Sequence, residues 1–154
     1  MKTVFAFLLL ISTQAVLAQK KMVAVTQSEF TGIALPEGSR TDKRGLSEIS
    51  ARLLLEMESK KNGSKIGKVE VLSLPPAARS NFTADSLVTA LAAAGWSIAE
   101  VKEDTKFVWL TKEGTFLMAY FSLDAKETAL YFGIPATPPA LRPAVQQPQA
   151  VDSN

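Results

Sequence analysis

The chain has 154 residues, a formal net charge of +2, and neither cysteine nor histidine. Those absences exclude disulfides, zinc sites built from Cys and His, and Cys–His or Ser–His–Asp nucleophilic catalysis. The 17 basic and 15 acidic residues are spread along the chain, which argues against nucleic acid as a partner, because that needs a basic stripe or patch.

Residues 1–18 carry the pattern of a secretory signal peptide. Lys2 is the positive n-region, Val4 to Ile11 the apolar stretch, and Val16-Leu17-Ala18 a cleavage motif before Gln19. The apolar run falls short of the ~20 residues that cross a bilayer, and polar Ser12, Thr13 and Gln14 end it. The expectation is therefore cleavage and a mature chain with no stable membrane anchor. An exported chain without disulfides suggests a bacterial periplasmic or secreted protein whose stability comes from packing.

A single domain is expected over residues 19–134. Met22, Val23, Val25, Phe30 and Ile33 suggest one or two short strands, and Pro36-Glu37-Gly38-Ser39 is turn chemistry. From about Asp42 to Asn62, Leu46, Ile49, Leu53 and Met57 recur at steps of three and four. This predicts a helix with those four side chains facing the core. Leu55 lies on the opposite side, and Asn62-Gly63 ends the helix. The Lys60, Lys61, Lys65 and Lys68 cluster follows that end, where cations offset the carbonyl end of the helix dipole.

A strand is predicted over 68–74, stopped by Pro75-Pro76. The next helix begins at Thr83, whose hydroxyl is an N-cap acceptor, with Phe82 and Leu87 placed as a hydrophobic staple. Leu87 and Leu91 form its inner face, and Gly95 caps it.

The period then changes to two, predicting strands near 96–102, 106–111, 115–123 and 128–134. Reading Lys112-Glu113-Gly114 as a three-residue hairpin loop pairs Thr111 with Thr115 and Trp109 with Leu117. A four-residue loop at 124–127 pairs Phe121 with Leu130 and Ala119 with Phe132. One face then carries Phe107, Trp109, Leu117, Ala119, Phe121, Leu130, Phe132 and Ile134, all uncharged. The expected fold is α+β, with two helices packed on that face of a mainly antiparallel, meander-rich sheet in the order β-α-β-α-β-β-β-β. Residues 135–154, rich in proline, read as a disordered tail.

The other face carries Val108, Leu110, Phe116, Met118, Tyr120, Ser122, Ala129 and Tyr131. It is too apolar for a face left to water. Three explanations compete: cover by the N-terminal strands or the tail, an interface with a partner or a second copy, and a pocket for a small apolar ligand. Phe116, Met118, Tyr120 and Tyr131 are the anchors on that reading.

Ser-x-x-Lys, Gly-x-Ser-x-Gly, EF-hand and phosphate-binding glycine motifs do not occur, and no cofactor is implied. The acids Glu100, Glu103 and Asp104 cluster at a hairpin turn, where solvation explains them more simply than catalysis does. Asn81-Phe82-Thr83 matches the glycosylation triplet, but its Thr serves as a helix cap. The sequence thus points to an exported, non-enzymatic binding module of unidentified protein or small-ligand partner. The alternatives are a small hydrolase working with carboxylates alone and a dimeric structural protein of the bacterial envelope.

Overall fold

Alternation of β-branched and aromatic residues after Trp96 dominates the architecture. The computed structural model describes residues 22–42, 45–76, 83–101, 106–123 and 128–141. The elements in chain order are β1 (Met22–Ala24), β2 (Arg40–Asp42), α1 (Leu46–Ser59), β3 (Ile66–Ser73), α2 (Ala84–Ala93), β4 (Ser97–Val101), β5 (Phe107–Lys112), β6 (Thr115–Leu123) and β7 (Thr128–Pro135). A single 3-10 turn, Lys60–Asn62, extends α1. The fold is α+β. Its seven strands form one antiparallel sheet in the order β1-β2-β3-β7-β6-β5-β4. The C-terminal strands β4 to β7 form the expected meander, and β3 closes on β7.

Strand β2 departs from the apolar pattern: it has only three residues, two of them charged and one polar, and it joins β1 to the end of β3. The first seven residues of the expected tail are ordered. Pro135 ends β7, and Ala136 and Ala140 donate backbone hydrogen bonds to Lys65 and Asn62. The signal segment and residues 142–154 lie outside the described residues.

The β6–β7 register is the expected one, with Phe121 opposite Leu130 and Ala119 opposite Phe132. The β5–β6 register is not. Lys112 pairs with Thr115, so the turn holds only Glu113 and Gly114, both at positive φ (49° and 80°). Two left-handed residues in succession make the turn that matches strand twist, so the shorter loop wins over the three-residue one. Trp109 therefore faces Met118 and Phe107 faces Tyr120. A one-residue slip exchanges the faces of a whole strand. Phe107 and Trp109 move to the second face, and Val108 and Leu110 take their places.

That exchange refines the expected arrangement, in which one face carried both helices. Helix α2 buries Leu87 and Leu91 against Leu72, Leu110, Leu117 and Phe132 on the first face. Helix α1 buries Leu55 with Trp109, Met118 and Ile66 on the second. With a tryptophan added, the second face has enough apolar bulk to require a helix of its own. Gly133 lets α1 approach: a Cβ there would stand 3.1 Å from Leu55 and 3.2 Å from Ile66.

Thr83 caps α2 as its sequence implies, its hydroxyl accepting a hydrogen bond from the Ser86 amide at 3.2 Å. At the other end, Lys112 donates to the Ala94 carbonyl at 2.7 Å, placing a cation at the negative end of the helix. Thr83→Ala should lower the unfolding free energy by about 1 kcal/mol, measurable by urea denaturation. No change would mean the cap contributes nothing. Phe82, the expected staple partner, lies outside the described residues.

Candidate functional site

Polar anchors fix the rotation of α1 about its axis. The Arg52 guanidinium donates to the carbonyls of Ile66 (3.3 Å) and Gly67 (3.1 Å) on β3 and stands 3.7 Å from Glu48. Ser59 donates to the Ser64 carbonyl, and Asn62 accepts the indole N–H of Trp109 at 3.2 Å. Asn62 also donates to Glu100 and to the Ala140 carbonyl. These side chains and the small Ala51 flank Leu55, so the helix turns this face to the sheet.

The consequence reverses the expected orientation. Leu46, Ile49, Leu53 and Met57 point outward, with 75, 58, 59 and 72% of their surface exposed, whereas Leu55 is fully buried. The physical reason is that inward space is scarce. The sheet beneath α1 is already filled by Trp109, Met118 and the tyrosines, and it accepts a helix face of alanine, serine, asparagine and one leucine. An amphipathic period identifies an apolar stripe but not what covers it. The sequence signal for the true inner face was Leu55 itself, set among Ala51, Ser59 and Asn62. The exposed stripe amounts to about 500 Å² of apolar surface, in the range where patches on soluble domains serve contacts.

The four anchors read from the sequence all lie on the α1 face. Met118 is fully buried and is core, which removes it as a surface anchor. Phe116, Tyr120 and Tyr131 are half-buried and pack against the core beneath α1. Tyr120 stacks on Tyr131 with centroids 5.5 Å apart, and Phe107 tilts against Tyr120 at 4.8 Å. Cover comes chiefly from α1, with Leu141 of the C-terminal segment added. Half-buried Leu54 belongs to the same cluster. It is next in sequence to Leu53, so the outward stripe and the aromatic cluster adjoin.

Among the described residues, cavities lie elsewhere. One, of about 330 Å³, sits between α2 and β4–β6 and is walled by Val88, Leu91, Trp96, Ile98, Leu110 and Phe121. An apolar pocket thus exists on the α2 face, opposite to where the sequence placed one. Another, of about 530 Å³, opens along β3 beyond its short pairing with β2. Asp42, Glu48, Arg52 and Glu70 line it. Each polar group there has a distinct situation. Arg52 satisfies strand carbonyls. Glu70 accepts from the Ser28 hydroxyl and the Glu29 and Phe30 amides. Both oxygens of Asp42 are buried without a hydrogen-bond partner among the described residues. Of the acids singled out for carboxylate chemistry, Glu100 takes the Asn62 amide, and Glu103 and Asp104 lie outside the described residues.

Comparison of the chain with known protein families, with curated proteins and with solved structures finds no match.

Proposed function

We propose that the protein is an exported, non-enzymatic interaction module whose contact surface is the outward stripe of α1. One observation carries the reading: Leu46, Ile49, Leu53 and Met57 form a single helical stripe exposed by 58–75%. Leaving that much apolar surface in water is unfavourable, at roughly 25 cal/mol per Å². A surface of this kind in a soluble domain marks a place where something binds. Tyr120, Tyr131 and Phe116, half-buried on the sheet face that α1 packs on, add the aromatic surface typical of interfaces. Export rests on the N-terminal pattern of Lys2, the apolar run and Val16-Leu17-Ala18.

The absence of cysteine allows a direct test. An environment-sensitive dye is placed at Leu53→Cys and, as a control, at Ala93→Cys on the exposed side of α2. Adding envelope extract from the producing cell should shift emission to the blue at position 53 and leave position 93 unchanged. Equal responses at both positions, or none at either, would refute the reading.

A further inference from the structure

We infer that the partner of the α1 stripe is the surface of an anionic lipid bilayer, a conclusion that rests on α1 being the contact surface. Charge carries the argument. Between residues 40 and 68 the sequence has eight Lys or Arg and four Asp or Glu, a net of +4. The whole chain is only +2, so the remainder is −2. The positive charge is thus concentrated on the segment that contains α1.

Its arrangement follows the stripe. Lys60 lies three residues beyond Met57 and seven beyond Leu53, at the C-terminal end of the same line of side chains, and is exposed. Lys65 beyond it and Arg40 before it are exposed as well, whereas Lys68 pairs with Ile134 and lies on the α2 side of the sheet. Of the four acids of this stretch, Asp42 and Glu58 are buried and Glu56 is half-buried. Glu58 accepts from Lys61 at 2.7 Å and Glu48 lies beside Arg52, so those two cations are matched, and Lys60, Lys65 and Arg40 remain as exposed cations. An apolar helical ridge bracketed by long cationic side chains is the form of an interfacial helix. The ridge sinks into the acyl boundary while the lysine stems reach up to the headgroups. No described helix is long and apolar enough to cross a membrane, so the helix lies on the surface.

The same charges disfavour a parallel second copy. Parallel pairing of two α1 stripes sets the exposed Lys60 of one copy against that of the other, and like charges across a contact are costly. A bilayer rich in phosphatidylglycerol presents the opposite charge to all of them.

The experiment uses the chain from Gln19, which contains every described strand and helix, with the dye at Leu53→Cys. It is titrated with phosphatidylcholine vesicles prepared with or without phosphatidylglycerol. Partitioning should be at least about tenfold stronger onto the anionic vesicles and should weaken as salt is raised. Lys60→Gln/Lys65→Gln should remove most of that preference. Met57→Gln, added to the labelled chain, should weaken binding to both vesicle types, and an unchanged melting curve would show that the fold is intact. Equal partitioning onto both vesicles, or none, overturns the inference. A blue shift with envelope extract but not with vesicles also overturns it and leaves the interaction surface standing. So does a dimer in light scattering that Met57→Gln dissolves.

Discussion

Glu70→Ala is expected to lower the unfolding free energy by about 3–5 kcal/mol. Glu70 is only 8% exposed. Its carboxylate receives the Ser28 hydroxyl and the Glu29 amide, both at 2.7 Å, and the Phe30 amide at 3.3 Å. Alanine removes a charged acceptor and leaves these donors, in part buried, without it. The damage extends further because this loop contributes to the core. Ile33 and Leu35 are buried beneath α2, and the Trp96 indole donates to the Thr31 carbonyl at 3.1 Å. Glu70→Gln keeps the shape and one acceptor oxygen, so its loss should be smaller, about 1–2 kcal/mol. Urea denaturation checks both values. A loss below about 1 kcal/mol for the alanine variant would mean that the loop holds without its carboxylate.

Asp42→Asn is expected to act in the opposite direction and raise the unfolding free energy by about 1–3 kcal/mol. Asp42 is 5% exposed, and among the described residues neither carboxylate oxygen has a hydrogen-bond partner. Two effects compete there. The carboxylate lies against Gly45, the N-cap of α1, so closely that a side chain on Gly45 would collide with it. The positive helix end then favours the charge, by about 0.3–1 kcal/mol and at most ~2. Removing a carboxylate from water without partners costs several kcal/mol. Desolvation is the larger effect, so neutralising the side chain should stabilise the fold. Thermal and urea unfolding of the variant decide the sign. A loss of more than about 1 kcal/mol would show that the field at the helix end outweighs burial.

The contrast between these two acids illustrates what a sequence conveys. Both are single acidic letters in mixed surroundings, and only the three-dimensional neighbours separate them. The donors to Glu70 come from residues some forty positions away. By comparison, the α2 cap at Thr83 and the β6–β7 pairing were legible because they depend on near neighbours and on loop length. The β5 faces were misread because one turn residue decides them, and Glu113 at positive φ is not a residue type that announces itself. The stripe on α1 was legible as a stripe. Its direction depended on whether the sheet beneath had room, which Trp109 settles by occupying the second face. Met118 was lost as a surface anchor for the same reason: α1 covers it. Tyr120, Tyr131 and Phe116 keep partial exposure beside the helix.

The orientation of α1 is the premise of the functional account, and the unfolding free energy of Leu53→Gln/Met57→Gln tests it most directly. Outward-facing side chains lose little by becoming polar, so the double variant should match the parent within about 1 kcal/mol. If the stripe instead faced the core, burying two glutamine amides and leaving two cavities would remove about 5 kcal/mol or more. That loss would contradict the account.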